Sequence, residues 1–223
     1  MSEYIKTTLS ECLSSVIDYR GKTPKKLGSS WSKSGYRALS ALNVKMDGLI
    51  RLEEINYADE ALYQKWMKEE VSRGDILLTS EAPAGQVMIW DSDEKILLSQ
   101  RLFCLKTKKD VDAWYLKYFF QSDLGQKSIL NNNSGSTAIG ISAKTFDNIS
   151  VFLPDLPTQR AISAALRVLD KKIEINRNII DHLEDIASTI YDYWFVQFDF
   201  PDENNRPLLY RLFGRLRLRT LYA

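Results

Sequence analysis

Hydrophobic positions along this chain follow three patterns in succession. Near the N-terminus Leu9, Cys12, Leu13, Val16 and Ile17 recur at helical intervals behind the capping-box spacing of Thr8 and Glu11, with Gly21 as a stop. This spacing predicts a short opening helix. The middle of the chain changes to brief apolar runs bounded by turn residues: Arg73-Gly74-Asp75 leads into Ile76-Leu77-Leu78, and residues 87–90, 96–105 and 149–153 repeat the form. Runs of this length and flanking chemistry predict strands, and the aromatic-rich stretch 113–130 between them predicts helix. The expectation is a mixed α/β (α+β) globular domain over residues 1–156.

Pro154 and Pro157 mark the third pattern, because residues 158–195 contain neither Gly nor Pro. Ile162, Leu166, Leu169, Ile173, Asn176, Ile180, Leu183, Ala187, Ile190 and Trp194 alternate steps of four and three. A seam this long with one polar member predicts a coiled-coil helix over residues 157–197. At about 1.5 Å per residue it forms a rod on the order of 57 Å, longer than a small domain can cover, so its stripe calls for a partner. Asn176 in the seam would fix register and orientation. The aromatics Tyr191, Tyr193, Trp194, Phe195, Phe198 and Phe200 fit packing at the rod's end or an anchor for a partner protein. Residues 198–223 predict an irregular tail, rich in Arg near its end and matching no motif.

Composition narrows the class without giving a function. With 44% hydrophobic and 26% charged residues in 223, the chain has the mixture of a globular domain. Thirty Lys+Arg against 29 Asp+Glu leave a net charge of +1, so any charged surface must come from local segregation. Such segregation is present: residues 19–46 hold Arg20, Lys22, Lys25, Lys26, Lys33, Arg37 and Lys45 and no acid, while Asp47, Glu53, Glu54, Asp59, Glu60, Glu69 and Glu70 follow. Residues 1–15 lack an apolar leader and no run of about 18 apolar residues occurs, which points to a cytoplasmic protein without a membrane span.

Catalytic signatures are missing. Cys12 and Cys104 stand apart with no CxxC, and His182 is the only histidine, among helix residues, so neither a metal site nor Cys/His catalysis is expected. Walker A, GxGxxG, HExxH, GxSxG and amine-methyltransferase tetrapeptides do not occur. Pro154-Asp155 with Asp170-Lys171-Lys172 loosely resembles the pattern of magnesium-dependent nucleases, but the second half lies on the heptad helix, where its groups do not converge. Non-catalytic recognition of DNA fits better, with cations on phosphates and polar groups on base edges. The candidates are Arg20, Lys22, Thr23, Lys25, Lys26 and Arg37 for phosphates, interleaved with Tyr19, Trp31 and Tyr36. Gln100 and Arg101, with Ser134, Gly135 and Ser136 of a polar loop, are candidates near the bases.

Several of these segments resemble the specificity subunits of type I restriction-modification systems. The resemblance covers about residues 9–202: GKTP at 21–24, RALSALNVKMDGLI from Arg37, RGDILLT from Arg73, SQRLFCLK from Ser99, SGST from Ser134, and most specifically residues 153–201, LPDLPTQRAISAALRVLDKK onward. It implies a non-catalytic chain with a target-recognition domain and a spacer helix that pairs antiparallel with a second copy. Double-stranded DNA, methyltransferase subunits and a restriction subunit are the implied partners. S-adenosylmethionine, ATP and magnesium would belong to those subunits and not to this chain. One recognition domain and one helix resemble half of a full member, which implies either a half-subunit that forms a homodimer on an interrupted palindrome or a truncated chain. The competing reading is a coiled-coil interaction module without DNA specificity of its own.

Overall fold

A computed structural model describes residues 4–46, 48–131 and 140–196. The chain divides into two units, Met1–Leu166 and Arg167–Ala223.

In the first unit, alternation within the apolar runs sets the layers. Strands β1 (Ile5–Thr8), β2 (Leu13–Asp18), β3 (Tyr36–Leu39), β4 (Val44–Lys45), β5 (Gly48–Leu49) and β6 (Asn56–Ala58) precede β7 (Ile76–Thr79), β8 (Val87–Ile89), β9 (Ile96–Leu98), β10 (Leu102–Thr107) and β11 (Ser150–Leu153). Helices are α1 (Leu9–Cys12), α2 (Glu60–Trp66), α3 (Ala113–Gln121), α4 (Asp123–Leu130) and α5 (Leu156–Tyr191). The central sheet has the order β2-β10-β7-β8 and is antiparallel throughout. Successive side chains of a strand point to opposite faces, so Ile76, Leu78, Phe103 and Leu105 enter one core while Leu77, Leu102 and Cys104 enter another. Burial on both faces explains why these runs are continuously apolar and not alternating.

The first core is closed by α3, α4 and the β1-β11 pair, the second by α2 and the sheet β6-β3-β9. In that smaller sheet β3 and β9 run parallel, with Leu39 opposite Leu98. Trp66 of α2 is fully buried and its Nε1 donates to Leu98 O at 2.9 Å, so its one polar atom is satisfied in the core.

The opening helix is shorter than its periodicity predicts. Its capping box forms, with Thr8 Oγ1 accepting from Glu11 N and Glu11 Oε2 accepting from Thr8 N. Yet α1 stops at Cys12, and residues 13–18 are a strand paired with β10, Ile17 opposite Cys104. Tertiary pairing overrides a helical spacing that spans barely two turns. The predicted helix 113–130 is likewise two helices, since Ser122 accepts from Gly125 N and caps α4. Gly125 permits the sharp junction: a Cβ there would meet Phe119 O at 2.0 Å.

Helix α5 is continuous over 36 residues, so the fold class read from the sequence, an α/β domain followed by a long helix, holds. Its first turns belong to the domain. Gln159, 2% exposed, accepts from Asp112 N at 2.9 Å and donates to Pro154 O at 2.9 Å, and Ile162 packs on the first core. The compact unit therefore reaches Leu166, ten residues beyond the boundary expected at Pro154–Leu156. In the second unit the seam residues Leu169, Ile173, Ile180, Leu183 and Ile190 are each about half exposed, as are Val168, Ile175, Ile179 and Ile186 beside them. Among the described residues no helix is long and apolar enough to cross a membrane.

Candidate nucleic-acid interface

Three strands end at one edge of the first unit. The loops leaving β3, β7 and β9 are stitched together there by backbone bonds: Ser99 N to Leu39 O at 2.7 Å, Ala41 N to Gln100 O at 3.1 Å, and Ser80 N to Arg101 O at 2.9 Å. Between them lies a cleft of about 230 Å³ whose polar lining comes from Ser40, Asn56, Ser99, Gln100 and Arg101, with Trp31 as one wall. Trp31 is held by a tilted contact with Trp66 at 5.8 Å. Ser40 Oγ donates to Asn43 Oδ1 at 2.9 Å, which fixes the β3 loop. Ala41 and Ser99 are buried at the floor, while Gln100 and Arg101 are exposed at the rim. Such an arrangement presents donors and acceptors to an edge or groove without enclosing a small ligand.

The predicted residues separate into two groups. Gln100 and Arg101 are brought together in the cleft, in a three-residue turn between β9 and β10 and not within one strand 96–105 as the apolar run predicts. The Gln100 side-chain amide has no hydrogen-bond partner among the described residues and is available to an outside group. Arg20 sits at the same edge but is clamped: it donates to Asp18 through Nε at 2.9 Å and Nη2 at 2.8 Å, to Ile141 O through Nη1 at 2.9 Å, and stacks on Phe103 at 3.9 Å. These bonds to Arg20 hold the Asp18 carboxyl below its usual range although partial burial pushes the other way.

The remaining phosphate candidates are mostly engaged within the chain. Lys22 Nζ donates to Trp66 O at 2.7 Å and lies over the Tyr19 ring at 4.1 Å, and partial burial with Lys68 nearby lowers its pKa. Lys26 donates to Gly21 O at 2.7 Å, and Thr23 Oγ1 accepts from Lys26 N. Arg37 forks onto both oxygens of Glu94. Lys25 is exposed and makes no side-chain hydrogen bond among the described residues. Ser134, Gly135 and Ser136 lie outside the described residues, whose nearest downstream members, Gly140 and Ile141, reach the edge through the bond from Ile141 N to Ser80 O.

Three cleft features were not legible beforehand. Asn56 arrives from β6, Ala82 from the β7–β8 turn, and Glu81 beside it forms an ion pair with Arg101. The one signal was the polar triplet Ser99-Gln100-Arg101 interrupting an apolar run, which also marks a turn. Both cysteines are buried, and burial pushes the Cys12 thiol up to about 12 and the Cys104 thiol well above its ordinary value. Among the described residues no group of three or more His, Cys, Asp or Glu side chains is placed to hold a metal ion.

A head built of mixed sheets, with a polar cleft at its strand ends and a long heptad helix following, is the architecture of a recognition domain joined to a spacer. The family pattern described as Type I restriction modification DNA specificity domain matches residues 10–185, through the cleft loops and most of the helix, and the chain belongs to that family. The MjaVIII specificity subunit of Methanocaldococcus jannaschii is 29% identical over 163 residues, covering 70% of this chain and 38% of the relative. The crystal structure of a type I restriction-modification S subunit from M. genitalium superimposes with a TM-score of 0.61 at 16% identity, covering 88% of this chain and 46% of that one. A structure solved for complex assembly and conformational transition of a type I restriction-modification system gives 0.56 at 17% identity, over 84% of this chain and 43% of the other. The chain thus spans less than half the length of the relatives it matches.

Proposed function

We propose that this chain is the non-catalytic, sequence-reading component of a type I restriction-modification assembly. The head reads one half-site of double-stranded DNA through the cleft rim, and the helix pairs antiparallel with that of a second copy. Two heads then stand a fixed span apart over an interrupted palindrome. The observation that carries the reading is the uninterrupted family match from the cleft loops into the heptad helix. The half-exposed seam from Leu169 to Ile190 supports the pairing, since such a stripe is covered when two seams interlock.

In this reading methyltransferase subunits bind the same frame and carry S-adenosylmethionine. A restriction subunit brings ATP and magnesium, and the assembly works on cytoplasmic DNA. The test purifies the full chain with the methyltransferase subunit co-expressed from its host and offers a pool of random duplexes. The expected result is enrichment of one interrupted palindromic sequence, with two copies of this chain per particle by light scattering. Protein assembly with no enriched sequence would instead favour the pure interaction module, and a single copy per particle would remove the antiparallel pair.

A further inference from the structure

Glu81 and Arg101 face each other at the mouth of the cleft, and neither placement is accidental. Glu81 leaves the end of β7 and Arg101 enters β10, whose pairing sets Thr79 opposite Leu102 and continues through Ser80 N to Arg101 O. Thr79 and Ser80 are fully buried, so the backbone beneath the pair is fixed. Arg101 holds a left-handed backbone at φ 62 and Ala82, next to Glu81, another at φ 58. L-residues rarely adopt this conformation, and the Arg101 and Glu81 side chains both stand partly exposed at the rim. Arg101 Nε lies 3.3 Å from Glu81 Oε2, with the side chains 53% and 47% exposed. Neither side chain makes a hydrogen bond to another described residue.

A carboxylate at a surface that meets DNA is repelled by phosphates; Arg101 offsets that charge from one side, and the carboxylate can still accept from a donor on a base edge. In the major groove a carboxylate accepts from the amino group of cytosine, and an arginine fork donates to O6 and N7 of guanine. The two preferences meet on a single base pair. Because Glu81 already neutralises Arg101, the pair also offers phosphates no net charge.

Resting on the DNA-recognition reading above, we propose that Arg101 and Glu81 act as one device that selects a G·C pair. Arg101 takes the guanine edge and Glu81 the cytosine amine, while their mutual contact keeps both aimed. The flanking Gln100 and Asn56 are left for neighbouring bases.

The test repeats the random-duplex selection with the complex carrying Arg101→Gln, Arg101→Lys or Glu81→Gln. Each variant is expected to lose preference at the same single G·C position by on the order of ten- to a hundredfold, the rest of the enriched sequence being kept. Arg101→Lys should fail with Arg101→Gln, since it keeps the charge and loses the fork. The dependence of affinity on salt should stay unchanged, whereas loss of a phosphate contact lowers the slope by about 0.9. Relaxation at two different positions, rescue by lysine, or a lowered slope with an intact sequence preference would each overturn the pair. An unaltered wild type that enriches no sequence would overturn the recognition reading itself.

Discussion

The two units of this chain treat the same kind of side chain in opposite ways. In Met1–Leu166 large apolar residues such as Leu39, Ile76, Phe103 and Leu116 are fully buried in two cores, whereas in the second unit Ile173, Ile180 and Leu183 stand 49–59% exposed. Hydrophobic burial is the dominant favourable term in folding. The first unit obtains it within one chain, whereas the helix beyond Arg167 leaves its apolar stripe half exposed and, in the proposed assembly, would cover it against a second copy. In the proposed reading the same distinction separates the roles of the two units: the self-sufficient head presents a binding edge, and the helix assembles.

The sharpest way to break this contrast is to charge the seam. Ile173→Asp with Ile180→Asp puts carboxylates where a paired helix would be dry, at a cost of several kcal/mol per chain. Light scattering should then report loss of the second copy, while thermal unfolding of the head stays in place. Trp66→Ala should do the reverse: about 3–5 kcal/mol is lost from the head by denaturant titration, and the helix keeps its ability to associate. Asn176→Leu should raise the stability of association by about 1 kcal/mol and loosen register, since the polar seam position is lost. Cross-linking between engineered surface cysteines would detect mixed registers.

Smaller effects probe the head alone. Cys12 and Cys104 should resist iodoacetamide in the folded protein at pH 8 and react fully in urea, because the raised thiol pKa values leave almost no thiolate. Quantitative labelling of native protein would show that the core opens readily. The smallest effect belongs to Asp18, whose folded pKa is depressed. It contributes stability above the unfolded value and loses it as pH falls through the folded one. The contribution is under about 1 kcal/mol for a partly exposed pair. Asp18→Asn should flatten part of the stability loss seen below about pH 4, with Arg20 still held by Ile141 O and Phe103.

Particular elements show where sequence reading succeeds. Ile76-Leu77-Leu78 and the heptad carry their structure locally, the first as a run too apolar for a surface, the second as a seven-residue period repeated more than four times. Leu9 to Ile17 misleads because its capping box is real, yet the residues that follow are claimed by Cys104 and Leu105 from far along the chain. The basic stretch shows a different limit of local reading. Arg20, Lys22 and Arg37 read as cations for an outside anion, and each has found a partner within the chain, at Asp18, Trp66 O and Glu94.

Short-range periodicity and chain punctuation were enough to determine the α/β head, the long helix after Pro154 and the unpartnered stripe, because each follows from side-chain spacing along a single element. Only the tertiary structure decided that β3, β7 and β9 end together, that Glu81 meets Arg101 there, and that Lys22 and Arg37 are engaged by Trp66 O and Glu94. Those are contacts between residues separated by tens of positions. Their energies depend on how sheets stack and chains return, which no local spacing encodes.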